Sequence, residues 1–454
     1  MGKKFGYTGF IALILALCLI PSLGMLVSAS QEAGANEVLA SMPNPRDAEG
    51  NLNLEYLTQW KDYAEDHFFL RQSLISVWSA LNVNFLHTSI SDSVILGSDG
   101  WLYYEGTLND YTGNGLLSDR ELYSAARNLA LVKEYAESQG ARFLFTIAPN
   151  KNSLYPEKMP PVTMFSRERN NLRLAAALEE QAVAYLDLFS VIGGEAETLY
   201  FTRDSHWNSK GAALGADAIN SALGRASSYY EGPFAAQPVH LSDLYEMLFP
   251  TGTWLEDDQV YSGELVFEYE APIRSAENLT IMTTKEGGGS LLMFRDSFGN
   301  LLYPYLADSF GSALFSRSTD YRLDLIAQRA ADYVVVELVE RNLNYLVENV
   351  PQMPAPRREA PEAARTGGSI TLTIGTSDYV PGCVQISGVL PAEPDTASAV
   401  YLMAGEDCYE AFQLSEGRFS LFVPESALEV MERLVLFEVN GTWAAASDVR
   451  PLQD

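Results

Sequence analysis

Apolar and polar positions divide the chain into stretches of distinct period. Lys3-Lys4 precedes an apolar run from Phe10 to Val27, and a polar stretch then reaches about Asn53. From Leu54 to about Phe85 apolar residues recur at helical spacing, among them Trp60, Tyr63, Phe68, Phe69, Ile75 and Trp78. Val94-Ile95-Leu96 and Leu102-Tyr103-Tyr104 flank Asp99-Gly100. Asp-Gly favours positive φ, so this block predicts two short strands around a tight turn.

From about Asp119 the pattern alternates. Helices are predicted over Glu121–Ser138, Ser166–Gln181, Asn208 or Ser209 to Leu223, Gly299–Ala307 and Asp324–Arg329. Strands are predicted over Arg142–Ile147, Ala184–Leu188, Ser290–Phe294, Ser312–Phe315 and Tyr333–Leu338. Short apolar strands alternating with helices predict an α/β fold, a parallel sheet with helices on both faces. Sites in such sheets form at the carboxyl ends of strands. The stretch from Ser227 to Gly289, rich in Pro, Gly and aromatics, reads as an irregular insertion. Beyond it, Pro351–Gly368 reads as a linker. Alternating runs at Ile370–Ile374, Val384–Ile386, Tyr401–Met403 and Phe419–Val423 predict a small C-terminal all-β, sandwich-like domain.

The composition narrows the function classes. With 47% hydrophobic and 11% aromatic residues the chain is that of a folded protein. A formal charge of -29 argues against nucleic acid as a partner, because phosphates would be repelled. Two lysines before an apolar run mark an export signal, and Val27-Ser28-Ala29 resembles a cleavage site. The run over residues 9–28 is also near the length that spans a bilayer, so a cleaved signal and a membrane anchor both remain open. Cys383 and Cys408 are compatible with a disulfide or with two buried thiols. No Cys/His cluster has metal-ligand spacing, and no metal or cofactor is expected.

The chemistry concentrates in two motifs, Asp204-Ser205-His206-Trp207 and Arg295-Asp296-Ser297-Phe298-Gly299-Asn300. Neutral serine is a poor nucleophile; a histidine must take its proton and a carboxylate must hold that histidine in the right tautomer. The motifs together supply all three groups. Ser297 follows a buried strand and precedes a helix, where backbone N–H groups favour a developing oxyanion. Asp204 and His206, two apart, share a side in an extended segment. Local readings compete with these: Asp296-Ser297 as an N-cap pair, and His206 as a loop histidine packed by Trp207. Asn150, Lys151, Arg295, Asn300 and Tyr103 are weaker substrate-binding candidates. His67, His87 and His240 lack neighbouring motifs and read as structural.

With these motifs the chain resembles the SGNH-hydrolase-like proteins of the alginate O-acetyltransferase type, the AlgJ/AlgX-like or DHHW proteins. Gly97-Ser98-Asp99-Gly100-Trp101-Leu102-Tyr103 is similar to the family's early Gly-Asp-Gly-Trp block. Pro149-Asn150-Lys151 with Tyr155-Pro156-Glu157, and Val336-Glu337-Leu338-Val339-Glu340-Arg341, resemble two further family blocks. The resemblance covers about Tyr56 to Leu346. It implies Ser297 as nucleophile, His206 as general base and Asp204 as its partner. The family's glycine before Asp-Ser is Arg295 here, a cation expected to narrow the site or recruit a carboxylate. The expected organisation is a signal peptide or anchor over 1–29, a linker over 30–55, an SGNH-hydrolase-like domain over 56–350, a linker over 351–368 and a β-sandwich-like domain over 369–454. The expected function is an exported O-acetyltransferase that modifies hydroxyls of an extracytoplasmic or cell-surface polysaccharide. The resemblance implies a membrane-bound O-acyltransferase as acetyl donor. A carbohydrate acetyl esterase and an inactive polysaccharide-binding module are the alternatives.

Overall fold

A computed structural model describes residues 2–25, 39–47, 49–363, 365–430 and 433–448. Seven strands form the central sheet: β1 (Arg142–Ala148), β2 (Tyr185–Leu186), β3 (Glu268–Tyr269), β4 (Thr280–Thr284), β5 (Ser290–Phe294), β6 (Ser312–Ser316) and β7 (Tyr333–Val339). Their order is β2-β1-β7-β5-β6-β4-β3. The five strands from β2 to β6 in that order run parallel. At one edge β4 and β3 join antiparallel.

Strand alternation sends successive side chains to opposite faces. Phe143, Phe145 and Ile147 of β1 pack with Leu129 and Val132 of the helix Asp119–Ser138. Leu144 and Ala148 face the other way, against the helices Ser209–Ala222 and Gly299–Ser309. Every residue of β5 is buried, which explains its apolar run Leu291–Phe294; the leading Ser290 gives its hydroxyl to the Arg329 carbonyl. The helix Asp119–Ser138 starts at a reciprocal cap, in which Ser118 accepts from Glu121 N–H and Glu121 accepts from Ser118 N–H.

The stretch from Ser227 to Gly289 is not irregular. It forms an antiparallel hairpin, Phe234–His240 with Glu256–Tyr261, a short helix Asp243–Leu248, and the two antiparallel edge strands. Most of Phe234–His240 is exposed, so no buried-strand pattern marks it in the sequence.

Towards the N-terminus, Gly2–Gly24 is helical. Among the described residues no helix is long and apolar enough to cross a membrane, and Val27-Ser28-Ala29 lies outside them. The helical stretch after Leu54 breaks at Leu70, which has φ 65°, into Tyr56–His67 and Arg71–Leu81. Its apolar stripe is largely exposed at Val77, Trp78 and Phe85.

The C-terminal region holds a six-stranded and a four-stranded sheet around a shared apolar core. The stretch 351–368 is no free linker. Ala355 N–H bonds to Phe422, Arg357–Arg358 pairs with the strand Asp407–Glu410, and Arg365–Ile370 pairs with Thr442–Asp448. Glu410, wholly buried, takes Arg127 at 2.6 Å from the α/β domain and Arg358 at 2.7 Å from this stretch. Cys383 and Cys408 are free thiols, which corrects the disulfide expectation; of the two, Cys408 is buried and Cys383 only half-buried.

Candidate active site

Two loops at the carboxyl ends of the parallel strands build the site. Ser297 lies between β5 and the helix Gly299–Ser309, half-buried beside the first helical turn. The carboxylate of Asp296 shapes that turn, accepting from Phe298 N–H at 2.9 Å, Val339 N–H at 2.7 Å and Asn342 at 3.0 Å. The second loop enters from Tyr200, which bridges to Trp207, and leaves into the helix Ser209–Ala222. Asn208 caps this helix, accepting from Gly211 N–H at 2.9 Å.

His206 joins the two loops. Its Nδ1 is 2.7 Å from Asp204 Oδ1 and its Nε2 is 2.9 Å from Ser297 Oγ. With the Nδ1 proton given to Asp204, Nε2 is left to accept the serine proton. Trp207 rivets the arrangement from below: it is fully buried, donates Nε1–H to the Phe298 carbonyl at 3.1 Å, and stands edge-on to the Phe298 ring. Phe298 in turn packs against the His206 imidazole at 4.8 Å.

The electrostatics follow from these partners. Burial opposes ionisation of Asp204, but His206 and His240 outweigh it and hold the carboxyl well below the usual range. Burial pushes His206 down, yet Asp204 first and Asp243 second leave it above the ordinary imidazole value. Asp243 accepts from Ser205 N–H at 2.9 Å and Oγ–H at 2.6 Å. Burial and the nearby Asp204 charge raise its own pKa. Asp204, His206 and Asp243 each present one ligand atom within 4.8 Å of the others. Hydrogen bonds already occupy these groups.

A cavity of about 230 Å³ opens beside Ser297, between Arg317, Ser318, Thr319, Asn342 and Tyr345. It is large enough to take an acyl group at the hydroxyl. The arrangement can deprotonate Ser297 toward an ester carbonyl and return the proton to a leaving group.

The weaker candidates occupy other places. Tyr103 is fully buried and donates to the Tyr155 carbonyl at 2.7 Å, so it cannot stack on a sugar. Lys151 lies behind the site, its Nζ bonded to the carbonyls of Leu102, Thr202 and Asp204. Asn150 is also fully buried, bonding Glu340 through its backbone and Asp110 through its side chain. Arg295 is among the residues that line the cavity beside Ser297. It is 3% exposed; its Nη atoms donate to the carbonyls of Ala276 and Asp296 and to Asn300, while its buried Nε has no hydrogen-bond partner among the described residues. A Cβ on Gly299 would meet the Arg295 side chain at 2.3 Å, so the glycine gives that arginine its passage. Asn300 is held by Arg295 and Glu277. His240 and Asp243, both from the insertion, reach Asp204 and were invisible as site residues. The proximity of His240-Leu-Ser-Asp243 in sequence is the only trace they leave.

The sheet and the loops at its strand ends define an SGNH-hydrolase-like α/β protein. Residues 94–246 match the family model described as the SGNH hydrolase-like domain of acetyltransferase AlgX, a stretch that contains Asp204 and His206 and ends before Ser297. The chain is AlgJ/AlgX-like in sequence. It is 24% identical over 256 residues to a probable alginate O-acetylase AlgJ of Pseudomonas syringae pv. tomato, covering 54% of this chain and 61% of that protein. A probable alginate O-acetylase AlgJ of Pseudomonas fluorescens is 23% identical over 174 residues, 37% of this chain and 42% of that one. The chain thus spans less than two thirds of either relative. Among solved structures, a DHHW family protein from Eubacterium siraeum matches at TM-score 0.41 and 13% identity, over 57% of this chain and 99% of that one. The O-acetyltransferase domain of Pseudomonas putida AlgJ matches at TM-score 0.38 and 17% identity, over 57% and 93%.

Proposed function

We propose that the protein is an O-acetyltransferase that carries an acetyl group on Ser297 and passes it to a hydroxyl of a polysaccharide. The observation that carries this reading is the continuous line of hydrogen bonds from Ser297 through His206 to Asp204, at 2.9 and 2.7 Å. In the first half-reaction Ser297 Oγ attacks the acetyl carbon while His206 Nε2 takes the hydroxyl proton. The tetrahedral intermediate collapses, and His206 returns that proton to the departing group. In the second half the acceptor hydroxyl gives its proton to His206 and attacks the serine ester, and Ser297 leaves with the proton restored. Asp204 keeps Nδ1 protonated throughout and offsets the imidazolium charge.

A polysaccharide acceptor is supported by the names of the two AlgJ relatives, both probable alginate O-acetylases. The same resemblance supports a membrane-bound O-acyltransferase as donor, with the chain exported and working on the outer side of that membrane. Water in place of the acceptor would make the same residues an acetyl esterase.

The test is incubation of the purified protein with p-nitrophenyl acetate, alongside Ser297→Ala and His206→Ala, with mass spectrometry for an acetyl adduct on Ser297. Turnover and an adduct that both substitutions abolish are expected. Turnover that persists in Ser297→Ala overturns the reading. Adding oligosaccharides then separates transfer from hydrolysis: acetylated sugar marks a transferase, free acetate alone an esterase.

A further inference from the structure

The insertion places a second imidazole on the far side of Asp204. His240 ends the strand Phe234–His240, and its Nε2 lies 2.8 Å from Asp204 Oδ2. The imidazole is stacked flat on Phe201, with centroids 3.7 Å apart and planes 3° from parallel. Asp243 N–H donates to the same oxygen at 2.9 Å. The other oxygen, Oδ1, accepts from His206 Nδ1–H and from His206 N–H at 2.9 Å. Four donors therefore hold one buried carboxylate, with an imidazole on each oxygen. A carboxylate held at one oxygen can still turn about its Cβ–Cγ bond. Donors on both oxygens fix its plane, and so the direction in which Oδ1 meets His206.

The rest of the hairpin clamps the same loop. Glu256 accepts from Thr202 N–H and from Arg203 N–H, the latter at 3.0 Å, and Asp258 accepts from Ser209 N–H at 3.0 Å. The carboxylates whose charge reaches His240 come from each neighbouring element: Asp204 on the catalytic loop, Glu256 and Asp258 on the paired strand, and Glu246 on the helix Asp243–Leu248. Lys151, the nearby cation, reaches the other side of the loop at the Asp204 carbonyl.

We propose that His240 is a positioning residue for the acyl-transfer reaction, its Nε2–H holding Asp204 Oδ2 so that Oδ1 stays on His206. This rests on the reading of Ser297 as nucleophile. His240 does not line the cavity beside Ser297, so it acts through Asp204 and His206 and not on substrate. Removing it leaves Asp204 with fewer donors. Asp243 N–H still holds Oδ2, but one hydrogen bond fewer pins the carboxylate in its plane, and its less-shared charge pulls harder on the His206 proton. The turnover rate falls, KM is nearly unchanged, and the acid limb of the rate profile moves to higher pH.

The experiment follows p-nitrophenyl acetate hydrolysis from about pH 5 to about pH 9, spanning imidazole titration, in the full chain, His240→Ala, His240→Gln and Ser297→Ala. The rate at which phenylmethanesulfonyl fluoride labels Ser297 gives a second readout, and thermal unfolding reports folding. Glutamine keeps an N–H donor and loses the ring. A fall in kcat of about tenfold to a hundredfold in His240→Ala, an upward shift of its acid limb, and recovery of both in His240→Gln support the inference. A folded His240→Ala with unchanged kcat and limb overturns it, while Ser297→Ala is still dead. If His240→Ala does not fold, His240→Gln decides: a rate near that of the unaltered chain supports the N–H donor role, and a deep loss in a folded protein overturns it. Turnover that survives in Ser297→Ala overturns the nucleophile reading, and this inference with it.

Discussion

The Lys151 ammonium ends 2.9 Å from the carbonyl oxygen of Asp204, at the back of the loop that carries His206. It also reaches the carbonyls of Leu102 and Thr202, each at 2.7 Å, and sits over the Trp101 ring. Burial pulls its pKa down to about 7, with Asp204, Glu256 and Asp243 resisting. Three carbonyl acceptors nevertheless call for three N–H donors, which only the ammonium has. Lys151 therefore ties the early hairpin to the catalytic loop.

Replacing Lys151 by Met keeps the stem and removes all three donors. The carbonyls of Leu102, Thr202 and Asp204 are left to desolvation at about 1–3 kcal/mol each, less whatever water enters. We expect a clear drop in the denaturation midpoint, and a fall in turnover larger than any rise in KM. Urea unfolding with parallel kinetics checks both.

Acyl transfer needs His206 unprotonated. Because Asp204 and Asp243 outweigh burial and raise its pKa, the rate should climb with pH through a limb above the ordinary imidazole value of about 6.5. Stability runs the other way: the His206 contribution is full below the unfolded value and fades as pH rises through the folded one. The Asp204 contribution is present above the usual carboxyl value and is lost as pH falls towards its depressed one. Asp204→Asn should lower the His206 limb and cut turnover steeply, and pH–rate profiles of both proteins test this.

Gly211 sits where the catalytic loop enters its helix. A Cβ there would stand 2.4 Å from the Leu199 carbonyl oxygen and 3.1 Å from Trp207 Cβ. Backbone cannot swing aside as a side chain can, so Gly211→Ala should cost about 1–3 kcal/mol of stability and displace Trp207. Activity should fall although no reacting group has changed. Differential scanning calorimetry and turnover measured on one sample will show whether the two move together.

Glu337 is fully buried beneath the Ser297 turn, where its Oε2 accepts from Asp296 N–H at 3.3 Å. Burial first and the Asp296 charge second push its pKa well above the usual carboxyl value. The folded state then holds a proton that the unfolded state releases, and stability declines as pH rises above the usual carboxyl range. Glu337→Gln keeps the shape without the proton and should flatten that decline. Melting curves across pH, compared between the two proteins, check it.

Much of the α/β fold was legible because its signals are local. Leu291–Phe294 is a continuous apolar run between Gly287-Gly288-Gly289-Ser290 and a polar turn, and the strand predicted over Ser290–Phe294 forms over those residues. Asp324–Arg329 is likewise helical as read. The hairpin Phe234–His240 with Glu256–Tyr261 escaped because most side chains of its first strand face solvent and the buried positions of the second, Glu256 and Asp258, are acidic rather than apolar. Asp204, His206 and Ser297, which hydrogen bonds join here, each sit in a motif rich in polar groups. His240 does not; its partner lies 36 residues away and no pattern joins them. Lys151 and Tyr103 misled for the opposite reason: a charge and an aromatic ring look available in sequence, whereas here backbone carbonyls take up both polar ends.

Glu410 changes what the C-terminal domain can be. With Arg127 and Arg358 closed on one buried carboxylate, and Asn128 bonded to Gln413 in both directions, the two halves are bolted and not strung together. The span from any point on the C-terminal sheets to Ser297 is therefore set by these buried bonds, as in a single casting.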